Sequence, residues 1–430
     1  MPLEIKNRDF FSRLLISLEL CDKYNYDIFF GYRGDVNYFA KNYYPGIYYG
    51  ITTLRNFEKL FKSLKEKGNT LIISDEEGLV TYSPEYYKKF KVSKKILDIS
   101  DFIFTWGKKN SLILKKICKN KKKIIVTGNP RLDFLKKPLS NIYLNEVKKI
   151  KKKYRNFFLI ATNFSYSNYF DKNVSYTELL KKRDFFGSNS DLVQWKKYVN
   201  IKKLVFNEIV KFIEKSDKLN LVIRCHPSEN HDIYKNLEKK YKNVHFDNSY
   251  SLHPWILASS GVISHYCTST FEALAANKKV FTIKPNYKTP LEDNQYFKIP
   301  IKAKKHYELV NKLNYSNSNI NNLKTIKYYS ENFNKKKYSY IKIVNEIGKI
   351  NIKQTSYIVP KNFIAKFKFL EIKENLKNLV LFRKNKYLDN KMQNITKEEI
   401  LSFIDFFPNY RNRFKIEKIN KNFFLIKKKI

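Results

Sequence analysis

The sequence predicts an α/β protein made of two Rossmann-like domains. Short β-rich runs alternate with helical stretches twice along the chain, which implies two parallel sheets, and a polar, Lys-rich interval separates the two series. Polar clusters also follow several predicted strands, where open α/β sheets bind their ligands beyond the strand carboxyl ends. These clusters are Asp75, Glu76 and Glu77; Arg224, His226 and Pro227; and Thr268, Ser269 and Thr270.

The chain opens with a strand at Leu3 to Ile5, a helix from about Asp9 to Lys23 with apolar positions Phe10, Leu14, Leu18 and Cys21, and a second strand, Asp27 to Phe30. Leu54 to Lys67 reads as a helix that Gly68 ends, and Thr70 to Ser74 is a buried strand running into the three acids and Gly78. Ile99 to Trp106 is a strand, Lys108 to Cys118 a helix, and Lys123 to Thr127 a strand closing in the turn Gly128, Asn129, Pro130, Arg131. Residues 1–140 form the first domain on this reading, and Lys136 to Arg155 is linker plus one helix. The second domain, residues 155–347, begins with the strand Phe157 to Ala161 and the polar loop Thr162, Asn163, Phe164, Ser165, Asn168. A helix with apolar positions Leu192, Trp195, Val199, Leu204, Phe206 and Val210 follows, and then the strands Leu221 to Arg224, Val262 to His265 and Val280 to Ile283, with a helix at Phe271 to Ala276. An Asn-rich run from Asn311 to Asn322 breaks the pattern, residues 323–347 read as helical, and residues 348–430 form a basic extension of weaker periodicity.

With 430 residues, 43 % of them hydrophobic, the chain has material for two or three packed cores and is not a disordered protein. The formal net charge of +44 is spread as Lys pairs along the whole length, beside much Asn, Ile, Tyr and Phe, so part of it reads as compositional bias. A basic surface attracts anionic headgroups as well as nucleotides, and salt-sensitive peripheral contact with an anionic membrane surface is expected. Nucleic acid is not the expected partner, because the run Lys121, Lys122, Lys123 reads as a solvated turn and no RNA-binding aromatic signature or phosphate-binding glycine loop accompanies it. The four cysteines, Cys21, Cys118, Cys225 and Cys267, have no paired spacing, which suggests a reducing cytoplasm and neither disulfides nor a zinc site. No apolar run approaches the roughly 20 residues of a spanning helix, and no signal-peptide pattern is visible. The reading therefore calls for no metal and no cofactor.

Arg224 and His226, two residues apart, project on one side of the chain, and an Arg fork with an imidazole donor suits a phosphate leaving group. A structural Arg and a capping His are the plainer alternative. Ser269 and Glu272 fit a capping box, although a turn of three hydroxyls at a helix start also suits phosphate. Three crowded carboxylates raise one another's pKa, so a general base could be any of Asp75, Glu76 and Glu77. His265 and Glu272 are further candidates for base or ribose contact, whereas His253 reads as a helix cap.

The order DEEG, F-x-W-G (Phe104 to Gly107), TGNPRLD (Thr127 to Asp133), ATNFSYSN (Ala161 to Asn168), RCHPSEN (Arg224 to Asn230), PW (Pro254, Trp255) and HYCTSTFEA (His265 to Ala273) resembles the bacterial surface carbohydrate biosynthesis proteins, a set of GT-B-like glycosyltransferases. The pairs Glu77, Gly78 and His226, Pro227 further resemble motifs of bacterial sialyltransferases and Kdo transferases. The resemblance implies two domains facing across a cleft, the first on the acceptor side and the second binding a nucleotide-sugar. It implies metal-independent, inverting transfer to a glycan or glycolipid in the cytoplasm or at the inner membrane face, with a CMP-sugar favoured. Glu77 would be the base and His226 the phosphate support. Arg224, Pro227, Thr268, Ser269, Thr270, Glu272 and Asn163 are expected to bind the donor, with Asn129, Arg131 and His265 elsewhere in the cleft. A polyol-phosphate transferase using a CDP-glycerol-like donor shares the Arg-x-His-Pro turn and remains the alternative. A non-catalytic polyanion binder on a decayed enzyme fold is the rival of another class.

Overall fold

A computed structural model describes residues 1–80, 82–171, 173–182, 185–313, 323–333, 337–350, 363–369, 372 and 394–429. The Asn-rich break from residue 314 and much of 348–430 lie outside the described residues.

The first domain holds a four-stranded parallel sheet, β3 (Ile47–Gly50), β4 (Thr70–Ser74), β5 (Phe102–Thr105) and β6 (Ile124–Val126), in that order. The opening β-α-β unit does not join it. Strands β1 (Pro2–Leu3) and β2 (Ile28–Tyr32) pair in parallel, and β2 then pairs with the last strand of the chain. Helix α1 (Lys6–Tyr24) packs against both sheets, sharing a core with Phe30 and Phe424 of one and with Tyr49, Ile72 and Phe104 of the other. Buried residues therefore run around most of it, not only along Phe10, Leu14, Leu18 and Cys21.

The second domain is a six-stranded, wholly parallel sheet. From β7 (Phe158–Ala161) the chain moves outward through β8 (Leu221–Arg224) and β9 (Val244–Phe246), then returns to β10 (Gly261–Ser264) and runs the other way through β11 (Lys279–Ile283) and β12 (Ile301–Ala303). The order reverses between β7 and β10, so a ligand crevice is expected beyond their carboxyl ends. The long helix Asn189–Glu214 buries Trp195, Tyr198, Lys202, Val205, Ile209 and Phe212, a helical stripe offset from the predicted one, in which Leu204 is exposed.

Two expectations about boundaries are corrected. The basic extension is not a separate appendage: β13 (Phe414–Asn420) and β14 (Phe423–Lys428) form a hairpin that completes the β1-β2 sheet, with Phe424 and Ile426 fully buried. Residues 329–333 and 337–348 return to the first domain. Its helix Ser339–Gly348 packs on α1, and Asn332 donates to Asn129 O (2.8 Å) and Asp133 Oδ1 (2.7 Å). This return requires small residues beneath it, since a Cβ on Gly107 would stand 2.4 Å from Tyr329 O and one on Gly128 2.6 Å from Asn332 Oδ1.

Candidate functional site

The two domains enclose a cavity of about 420 Å³ whose lining includes Glu76, Glu77, Lys91, Arg131 and Arg8 from the first and Asn163, Arg224, His226, Pro227, Thr268, Ser269 and Glu272 from the second. Each cluster reaches it from a strand's carboxyl end: the acids after β4, Asn163 after β7, Arg224 to Pro227 at β8, and the hydroxyl turn after β10.

The three acids have separate fates. Asp75 turns away from the cavity, accepting from Tyr87 Oη (2.7 Å) and the Glu77 N–H (3.1 Å), and burial lifts its carboxyl to about 6. Glu76 stands at the floor, 3 % exposed and engaged at both oxygens. Arg13 Nη2 holds Oε1 at 2.6 Å and Asn129 Nδ2 donates to Oε2 at 3.1 Å, so both oxygens of Glu76 are committed to its own domain. Glu77 alone projects into solvent, its side chain 59 % exposed, beside Lys91 Nζ at 3.0 Å and Arg8 Nη1 at 3.8 Å. Burial works to lower the Lys91 ammonium, but Glu77, Tyr166 and Asp75 together outweigh it and raise it. Of the three acids, Glu77 is the one whose side chain is open in the cavity.

On the facing wall, the Ser228 N–H donates to His226 Nδ1 at 3.2 Å, with Ser165 Oγ at the same distance. A backbone N–H can only donate, so Nδ1 is the acceptor and the neutral ring carries its proton on Nε2. Arg224 gives Nη2 to Tyr250 O at 3.0 Å, while its Nε is buried without a hydrogen-bond partner and burial pulls the guanidinium down to about 10. Pro227 lines the cavity, and Asn163 Nδ2 donates to Tyr266 O at 3.2 Å.

The hydroxyl turn departs from expectation. The helix Ser269–Ala275 has Thr268 at its N-cap with no side-chain capping bond, so the Ser269 and Glu272 capping box does not form. Glu272 instead approaches Arg131 (3.9 Å) and His253 (3.9 Å). Burial would raise its carboxyl, yet the His253 hydrogen bond and the Arg131 and Arg224 guanidiniums hold it below the ordinary range. His253 lies inside the helix Leu252–Ala258 beside Tyr143 Oη at 3.0 Å, and so does not cap it. Ser269 Oγ faces the cavity wall, buried and without a hydrogen-bond partner.

Besides Asp75, three expected cleft residues are not part of the lining. Thr270 is fully buried, sharing hydrogen bonds with Ser264 Oγ (2.8 Å) and Tyr296 Oη. His265 lies between Ile283 O (2.9 Å) and Glu292 (3.2 Å). Asn129 supports Glu76 and accepts from the Arg131 N–H at 2.9 Å. Arg131 does line the cavity, between Glu76 (4.0 Å) on its own domain and Glu272 on the other.

Sequence reasoning missed Arg8, Lys91 and a wall of tyrosines, Tyr82, Tyr166, Tyr176, Tyr198 and Tyr266. Arg8 was accessible by the strand-end rule, because it follows β1 closely. Lys91 carries no local signal, one lysine among many.

These sheets and this cleft define a two-domain α/β protein of GT-B-like architecture. No family model matches the sequence and no curated protein matches it. Among solved structures, the chain is similar to the wall teichoic acid polymerase TagF, at 14 % identity and a TM-score of 0.47 over 74 % of this chain and 76 % of that one. It is similar to the UDP-GlcNAc 2-epimerase from Neisseria meningitidis, at 16 % identity and a TM-score of 0.45 over 74 % and 80 % of the two chains. The S. aureus MnaA structure with UDP gives 13 % identity and a TM-score of 0.43 over 83 % and 84 %. Likenesses this distant carry no assignment of activity, which has to come from the cleft itself. No helix among the described residues is long and apolar enough to cross a membrane.

Proposed function

We propose that the protein transfers a sugar from a nucleotide-activated donor to a surface-glycan acceptor, with inversion. The observation that carries this reading is the meeting of Glu77 from one domain with Arg224 and His226 from the other in one cavity. The Glu77 carboxylate takes the acceptor hydroxyl proton as that oxygen attacks the anomeric carbon, and the bond from that carbon to the nucleotide phosphate oxygen breaks. Charge gathers on the departing phosphate. His226 Nε2–H and the Arg224 guanidinium donate to it, and both are positioned before the reaction begins. Ser269 Oγ, buried without a partner, is a further donor at the same wall. Holding donor and acceptor on opposite walls supplies the orientation that a bimolecular encounter lacks.

A cytidine nucleotide is the favoured donor, as the resemblance of the Glu77, Gly78 and His226, Pro227 pairs implies. A thermal-shift panel of CMP, CDP, UDP and GDP tests this, because a ligand of the native state raises Tm by mass action. A larger shift with CMP supports a CMP-sugar, and a larger shift with CDP supports the polyol-phosphate alternative. No shift with any of the four rejects the enzymatic reading in favour of a polyanion binder.

A further inference from the structure

Glu229 lies fully buried behind His226, and no step of the reaction above uses it. Its Oε1 accepts from Thr162 Oγ1 (2.9 Å) and from the Phe164 N–H (2.9 Å), and its Oε2 from Tyr234 Oη. Thr162 Oγ1, its proton committed to Glu229, is left as an acceptor and takes the His226 N–H at 3.2 Å. The Glu229 N–H donates to His226 O at 2.9 Å, so both backbone groups of His226 are held by this one carboxylate residue and its threonine. Around them, Asn230 N–H donates to Asn168 O (3.0 Å) and Phe170 N–H to Ser228 O (3.0 Å), tying the loop after β7 to the loop after β8.

We infer that Glu229 is a positioning residue for His226, its carboxylate fixing, through Thr162 and the 162–164 loop, the orientation in which Nε2–H faces the cleft. The inference rests on the reading of His226 as the phosphate support. Three donors converge on the carboxylate, so a protonated or amidated side chain would turn a donor of its own toward them and the arrangement would loosen. Burial lifts the Glu229 carboxyl to about 7, against the pull of Tyr234, Phe164 and Thr162, so the change falls within an accessible pH range. The other titratable groups facing it are Tyr234, Cys225 and Lys202. Burial and Glu229 hold Tyr234 well above the phenol range, burial pushes the Cys225 thiol up to about 12, and burial lowers the Lys202 ammonium although Glu292 and Glu229 oppose it.

The experiment follows the His226 ring by nitrogen NMR of the full chain labelled in its six histidines, the signal assigned with a His226→Gln variant. Among neutral His226 rings, separated from the imidazolium by their shifts, wild-type protein is expected to show the Nε2–H tautomer at pH 8.5 and to lose that preference as pH falls through about 7, whereas Glu229→Gln shows mixed tautomers throughout. Tyr234→Phe removes a donor that stabilises the carboxylate, so the midpoint moves up by roughly half a unit or more, which decides the matter even if Glu229→Gln does not fold. A midpoint unmoved in Tyr234→Phe, or a wild-type tautomer preserved in Glu229→Gln, overturns the proposal. In parallel, the weaker CMP affinity of Glu229→Gln relative to wild type is expected to vanish in a His226→Ala background, and additive losses would overturn it as well. Absence of nucleotide binding in the wild type would remove the donor reading, while the NMR result still decides the role of Glu229.

Discussion

Glu76 and Glu77 are adjacent in sequence and opposite in circumstance, so the same substitution should have opposite consequences. Glu76→Gln withdraws the anion that Arg13 holds at 2.6 Å, where Glu76 is 3 % exposed and Arg13 fully buried. Removing one member of a buried pair costs about 3–5 kcal/mol, because the remaining charge is left uncompensated. At roughly 2–4 °C per kcal/mol for a domain of this size, Tm should fall by about 6–20 °C. Glu77→Gln removes an exposed carboxylate whose pair with Lys91 at 3.0 Å is of the kind worth about 0–1 kcal/mol and whose contact with Arg8 at 3.8 Å adds less, so Tm should change by only about 4 °C. Turnover should show the reverse order in Glu77→Gln, falling roughly 10²- to 10⁴-fold at nearly unchanged Tm. Differential scanning calorimetry of the two variants at pH 7.5, beside their initial rates, makes the comparison. If Glu76→Gln melts with the wild type while Glu77→Gln unfolds early, the division between a locked acid and a reactive one is wrong.

Asp133 accepts from Asn332 Nδ2 and the Tyr340 N–H where the return segment docks, and burial raises its carboxyl to about 6. The folded state then keeps a proton that the unfolded chain releases above about pH 4, so stability from this group is lost as pH rises from about 4 to 6, by up to about 3 kcal/mol. The stability of wild type relative to Asp133→Asn should therefore decline between pH 4.5 and 7, and a constant gap in denaturant melts would contradict this. Gly107→Ala drives a Cβ to 2.4 Å from Tyr329 O and should cost about 1–3 kcal/mol in urea unfolding, whereas a neutral result would mean the return segment yields freely. Deleting residues 394–430 uncovers Ile28 and Phe30 along with the β2 edge, so the truncated chain should not yield soluble, cooperatively melting protein. Recovery of such protein would show the hairpin to be dispensable.

Local pattern carried the second domain well because its strands are short apolar runs whose polar successors sit at the strand ends, as with Arg224 and His226 after β8. It failed where the deciding partner is distant in sequence. Gly128 and Asn129 resemble a ligand turn, but Asn332, some 200 residues later, explains both. The β1-β2 pair read as the start of the first parallel sheet because nothing near it announces that β14 closes it. In the helix Asn189–Glu214, Leu204 reads as an apolar face position, yet Leu204 is exposed and Lys202 is fully buried over Tyr198 and Tyr266. Apolar spacing fixes a helical face only to within about one residue when aromatic and aliphatic side chains surround the whole helix. Among the acids, the sequence offered three adjacent carboxylates, and the buried Arg13 on α1 with Asn129 separates Glu76 from Glu77.

Calorimetric titration of CMP into wild type, Glu77→Gln and His226→Ala under one buffer condition tests the account most directly. The division of labour between the walls predicts nearly equal Kd for wild type and Glu77→Gln and about 10- to 100-fold weaker binding for His226→Ala, the loss of one charge-assisted hydrogen bond. Equal affinity in all three proteins, or a loss in Glu77→Gln as large as that in His226→Ala, would contradict it.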